Sequence, residues 1–336
     1  MKKIAFLIPA LVCLPLAAEV SGTVANRTTG QPQAGTTVTL YKFGQGGMEP
    51  VASTRTDAAG AFRLAQDAGG QGPSMVRVEV DHVVYNRMMP PGTPTTGLAI
   101  DIYNASQRQP ADVKVSKHMI LFQPGGGQMT VNETYLIDNK GKTTWFDPAA
   151  GTLEFYLPRA AGGKVEVTAT APDGMPVPAP SDKTARPDTY AAKFEIKPGE
   201  TRIDLSYAVP YTEGAPYGGH VVTKDENTYL IAPKGVTLES PGLQDLGAEP
   251  RTEAHIYGLN SESYVVKLTG AVEASAASPP ADDTAASSQD SGSQDSGPQI
   301  EQIMPRIYSR AGLILGLALG ILTLGFALLY RAQGNQ

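Results

Sequence analysis

Four histidines are the side chains in this chain best suited to acid–base or metal chemistry: His82, His118, His220 and His255. They are widely spaced, with no HExxH pair and no close His/carboxylate grouping. A metal-dependent hydrolytic site would therefore need two or more of them to converge through folding. Nucleophile and phosphate motifs are missing as well: no GxSxG, SxxK, P-loop or GxGxxG opens a helix. Gly125-Gly126-Gly127 lacks the following Lys and Ser/Thr that make a glycine loop a phosphate cradle. Asp101, Asp282 and Asp283 do not form a DxDxDG calcium loop. The chain reads as non-enzymatic, with no catalytic residue, no cofactor and no metal site assigned.

Two other groups carry binding chemistry. Trp145-Phe146-Asp147-Pro148 contains the only tryptophan, and Tyr207, Tyr211 and Tyr217 gather around a proline-containing loop. Exposed, Trp145 and Tyr211 would stack on sugar rings; buried, a lone Trp at a sheet edge is core. Gly312, Gly316 and Gly320 recur every four residues and share one face of a helix, where small residues let two membrane helices approach closely. Glycine is also common in such helices without any pairing role.

Those glycines lie in Ala311 to Tyr330, 20 uncharged residues bounded by Arg310 and Arg331. As a helix this segment spans roughly 30 Å, the thickness of a bilayer core. At the other end, Lys2 and Lys3 precede an apolar run from Ile4 to Leu16 and then Ala17-Ala18. That order is a secretory signal peptide of residues 1–18, bacterial in style. Cys13, the only cysteine, lies within it, and Val12 before it is too large for a lipidation site. The exported chain thus has no thiol and no disulfide. Together the two segments predict a single-pass protein of the bacterial inner membrane. Its bulk is periplasmic or extracellular, and residues 331–336 form a cytoplasmic tail.

Between these segments the composition favours short strands and turns. The chain has Gly 36 and Pro 27 in 336 residues, with only 18% charged. A formal net charge of −6 offers no basic surface to nucleic acid. In residues 19–107, strand-forming stretches at Val20 to Val24, Thr37 to Tyr41 and Leu98 to Tyr103 are separated by Gly30, Pro32 and Gly35. Met75, Arg77, Glu79 and Asp81 alternate with Val76, Val78 and Val80, the period of a half-buried strand. Residues 108–270 hold about ten further strand candidates, among them Val113 to Val115, Met119 to Phe122, Thr130 to Asp138, Arg202 to Val209 and His220 to Ala232. They suggest one large sandwich or two small ones. Residues 271–305 are rich in Ser, Ala, Asp and Pro, repeat SQDSG twice, and read as a disordered linker.

Gly22-x-Val24-x-Asn26, Gly30-x-Pro32-x-Ala34-Gly35-x-x-Val38-x-Leu40 and Thr56-Asp57-x-x-Gly60-x-Phe62 resemble the carboxypeptidase regulatory-like, transthyretin-like and CnaB-related β-sandwich domains. The resemblance covers about a quarter of the chain. It implies a β-sandwich with an accessory or interaction role, with a carbohydrate-binding-like label attached to some members. It does not imply peptidase activity, because no catalytic domain accompanies it. Nor does it imply the internal isopeptide bond of pilin modules, since residues 19–36 contain no lysine.

The fold expectation is all-β: an N-terminal transthyretin-like sandwich, one or two further sandwich units, a disordered linker and one C-terminal transmembrane helix. The functional expectation is a membrane-anchored envelope protein offering its β domains for protein interaction or assembly. The alternative is an envelope protein that binds polysaccharide. The expected partners are the lipid bilayer, another membrane or envelope protein and, in the alternative, polysaccharide, with no nucleic acid.

Overall fold

A computed structural model describes residues 19–270 except 45–46, 67–71, 173 and 224–226. The expected signal peptide, linker, transmembrane segment with Gly312, Gly316 and Gly320, and cytoplasmic tail all lie outside the described residues. Among the described residues no helix is long and apolar enough to cross a membrane.

The described chain is all-β. Its first part runs β1 (Val20–Asn26), β2 (Gln31–Pro32), β3 (Thr37–Gly44), β4 (Gly47–Arg55), β5 (Ala61–Leu64), β6 (Ser74–Val80), β7 (Val83–Met89), β8 (Leu98–Ile102) and β9 (Ala105–Ser106). Strands β2-β1-β5, with β8 parallel to β1, form one four-stranded sheet, and β4-β3-β6-β7 form a second. Alternation makes these strands two-faced, and the buried faces of both sheets share one core. Val20, Val24, Phe62 and Ile100 from the first sheet pack with Val38, Leu40, Val76, Val78 and Tyr85 from the second. The Thr56-Asp57-x-x-Gly60-x-Phe62 stretch is a turn that its own side chains build. Asp57 Oδ1 accepts from the backbone N–H of Ala59 (2.9 Å) and Ala61 (2.8 Å), and Thr56 Oγ1 donates to Gln33 O at 2.7 Å. Gly60 sits at φ +73° with space for no Cβ, since one would lie 2.5 Å from Val24 O.

The second part runs β10 (Val113–Gly125), β11 (Gln128–Asn139), β12 (Thr144–Trp145), β13 (Leu153–Tyr156), β14 (Glu166–Thr170), β15 (Val177–Pro178), β16 (Ser181–Lys183), β17 (Thr189–Ala192), β18 (Gly199–Pro210), β19 (Pro216–His220), β20 (Thr228–Ala232), β21 (Val236–Glu239), β22 (Leu243–Ala248), β23 (His255–Leu259) and β24 (Ser263–Gly270). An eight-stranded sheet ordered β15-β14-β18-β11-β10-β20-β23-β22 dominates it. Two three-stranded sheets, β13-β17-β16 and β19-β24-β21, contribute to the same core. Val115, Phe122, Tyr135, Phe155, Ile203, Leu230 and Leu268 all belong to that core.

Three strand expectations come out differently. Val113 to Val115 and Met119 to Phe122 belong to one strand, β10, bent by a bulge between Val115 and Lys117. Thr130 to Asp138 extends by two residues at its start and one at its end. The run His220 to Ala232 divides between β19, which pairs with β24, and β20, which pairs with β10 and β23. Val221, Val222 and Thr223 near its start and Thr228 and Ile231 near its end are β-branched, but the two ends belong to different sheets.

Candidate interaction surface

The eight-stranded sheet has two unlike faces, and the difference starts in the sequence of two neighbouring strands. Met119-Ile120-Leu121-Phe122 in β10 and Tyr229-Leu230-Ile231-Ala232 in β20 are apolar without alternation. Continuous apolar runs are the composition of strands covered on both faces. Ile120, Phe122, Leu230 and Ala232 point inward and are buried. Met119, Leu121, Tyr229 and Ile231 therefore point outward, and each is partly exposed.

Register sets these outward side chains side by side. In the parallel β10–β20 pair, Met119 lies opposite Tyr229 and Leu121 opposite Ile231. Ile256 of β23 lies opposite Ile231 and extends the stripe to a third strand. Leu246, 48% exposed, stands at the β22 bulge between Asp245 and Gly247 and extends it to a fourth. Gly258 shows where Leu246 lies, because a Cβ built there would be 3.7 Å from Leu246 Cδ1. The six side chains carry no charge.

The other half of the same outward face is polar. Thr134 Oγ1 donates to Asp204 Oδ1 at 2.6 Å, Arg202 Nε bonds Asp204 Oδ2 at 2.7 Å, and Asn132 donates to Gln123 at 2.8 Å. A shallow depression of about 580 Å³ adjoins them, lined by Thr130, Lys164, Glu166 and Ser206 among others. The apolar half is thus a local feature of β10, β20, β23 and β22.

Sheet edges offer less. The outer strand β22 is broken by its bulge, β4 carries Pro50, and the short β15 ends in Pro178. Bulges and prolines at an edge oppose the addition of another strand.

On the inward face of β10, β11 and β18 lies a polar network that sequence reasoning missed. Glu133, 5% exposed on β11, accepts from Tyr135 Oη (2.9 Å) and Tyr207 Oη (2.7 Å) and is 2.9 Å from His118 Nε2. The His118 and Tyr135 rings stack at 3.9 Å. Tyr207 Oη is 3.1 Å from Tyr217 Oη, and the Tyr217 ring neighbours Tyr264 at 6.4 Å. Burial raises the phenol pKa of Tyr207, Tyr217 and Tyr264, and the nearby Glu133 charge adds to each. Tyr264 lies against Gly219, its cross-strand partner; a Cβ there would be 2.3 Å from the phenol oxygen. With Glu133 accepting from both phenols, this network stabilises the core.

The sequence-derived binding residues are placed apart. Trp145 exchanges backbone hydrogen bonds with Ile196, near the Asn139 end of β11, and its Nε1 donates to Gln107 O at 3.3 Å. Tyr211 follows β18 at the other end, where its N–H donates to Gly127 O and its hydroxyl to Leu268 O at 3.0 Å. β11 between them is about 37 Å long at 3.4 Å per step. Both rings are half-buried against the second core, so they do not form one platform. Of the histidines, His82 occupies a turn at φ +63°, His118 joins Glu133, His220 bonds Ser263 at 2.8 Å, and His255 bonds Asp245 at 2.6 Å. Among the described residues no group of three or more His, Cys, Asp or Glu side chains could hold a metal ion. No family model matches this chain, and no curated protein matches it.

Proposed function

We propose that this chain is a non-enzymatic, single-pass protein of the bacterial inner membrane that presents β-sandwich domains outside the cytoplasm for protein interaction or assembly. In this reading residues 1–18 direct export, residues 311–330 anchor the protein, and the segment between Gly270 and the anchor is a spacer. The N-terminal unit is an accessory module of the carboxypeptidase regulatory-like type. The observation that carries the interaction role is the uncharged outward stripe of Met119, Leu121, Tyr229, Ile231, Ile256 and Leu246. Monomeric surfaces scatter their apolar side chains singly, whereas a contiguous stripe across four strands favours a protein partner.

The test is in-cell crosslinking of the full-length protein, with mass spectrometry of the adducts. A control carries an unrelated transmembrane helix in place of residues 311–330. A defined membrane protein crosslinked to both forms supports recognition through the β domains. Loss in the control assigns the contact to the membrane segment and its glycine face. Absence of any protein adduct overturns the proposal and favours polysaccharide binding.

A further inference from the structure

The segment 142–146 of the second part returns to the first, and the two cores meet there through buried groups. β12 pairs in parallel with β9, placing Thr144 beside Ala105 and Trp145 beside Ser106. Consecutive side chains then serve different cores: Trp145 packs on the second and Phe146 on the first. Thr28 Oγ1 donates to Lys142 O and accepts from the Asn104 N–H at 2.9 Å. Tyr85, buried in the first core, donates from its hydroxyl to Tyr103 O at 2.9 Å and lies 3.1 Å from Thr144 Oγ1, which is fully buried.

Lys197 closes this junction. It approaches from the second part and donates Nζ–H to Val84 O, 113 residues away in sequence. The same ammonium lies 5.0 Å above the centre of the Tyr85 ring and 3.4 Å from Glu195 Oε1. Both charged side chains are largely shielded, at 16% and 18% exposure. A shielded ammonium over an aromatic face gains more than an exposed one. Burial pulls the Lys197 pKa down, with Glu195 opposing that shift. Domain contacts within a chain are commonly polar and mobile. Here a largely shielded cation, an aromatic ring, a carboxylate and a carbonyl meet between two cores.

We infer that Lys197 is a latch that couples the two cores into one rigid body that unfolds as a single cooperative unit. The orientation of the N-terminal unit relative to the outward apolar stripe is then set by this contact and not by the chain segment at 107–112. The inference does not depend on what binds the stripe.

The experiment follows unfolding and amide exchange of the full-length protein in detergent. In the wild type, calorimetry should give one transition for residues 19–270, and the slowest amides of β3 and β6 should open as rarely as those of β11 and β18. Lys197→Met removes the charge, the donor and the partner of Glu195 while keeping the stem. Amides of β3 and β6 should then open at least tenfold more often than those of β11 and β18. Tyr85→Phe keeps the ring under the ammonium and should leave the two sets coupled, as should Lys197→Arg, which serves if the methionine variant does not fold. Two transitions in the wild type, continued coupling in Lys197→Met, or uncoupling in Lys197→Arg would overturn the latch.

Discussion

Leu121 of β10 and Ile231 of β20 are register partners on the outward face of the eight-stranded sheet, while Phe122 and Ala232, one residue on, are buried on its other face. A change on the outward side should touch recognition and spare the fold. Leu121→Ser and Ile231→Ser should each alter stability by less than about 1 kcal/mol. Ile120→Ala, one residue before Leu121 on β10 but facing the core, should cost about 2–5 kcal/mol. Urea unfolding of the three variants checks the contrast. Equal losses in all three would mean that the outward side chains are core.

Glu133 accepts from two phenols and pairs with a buried histidine, so its removal strands several polar groups at once. Glu133→Ala should destabilise by about 3–5 kcal/mol, and Tyr207→Phe by about 1–2 kcal/mol. The double variant should fall short of the sum, because both changes break the same bond. Denaturant titrations in a double-mutant cycle measure this directly.

Tyr207 and Tyr264, both buried, and Tyr217, partly buried beside them, should set the alkaline limit. Their folded-state pKa values are raised above the unfolded value of about 10, so their stabilising contribution is complete below pH 10 and is lost as pH rises further. Each can remove up to about 1.4 kcal/mol per pH unit in that range. Lys197 works oppositely: its folded pKa is lowered, so its contribution is present above the unfolded value of about 10.5 and fades as pH falls. Three tyrosines against one lysine leave a net loss of stability above pH 10. Phenolate absorbance should rise together with unfolding, and Tyr217→Phe should make the stability decline shallower.

Gly219 faces the ring of Tyr264, and a Cβ there would lie 2.3 Å from its phenol oxygen. Gly219→Ala should displace that ring and cost about 1–3 kcal/mol, the usual penalty for overpacking. Gly218→Ala, where the nearest atom would be 3.9 Å away, should cost less. Thermal melts of the pair decide between a steric role for Gly219 and a general cost of losing glycine.

Much of the all-β character was legible because it is local: Val76 and Val78 alternate, and Asp57 and Gly60 spell their own turn. The apolar runs at Met119 to Phe122 and Tyr229 to Ala232 could be read as strands. Their shared outward face could not, because it depends on the parallel pairing of segments more than a hundred residues apart. The same limit hid the Glu133 network, whose members His118 and Tyr207 meet only across three strands. The three tyrosines that lie close in sequence also take different places in the fold. Tyr207 and Tyr217 point into the core, while Tyr211 turns its hydroxyl to Leu268 O at the sheet end.

The most direct measurement places a photo-crosslinking amino acid at Ile231, and separately at Ser206 on the polar half of the same face, in the full-length protein in its own cells. The account predicts a discrete adduct with one membrane or envelope protein from position 231 and none with that protein from position 206. Identical adducts from both positions, or no protein adduct from position 231, would contradict it.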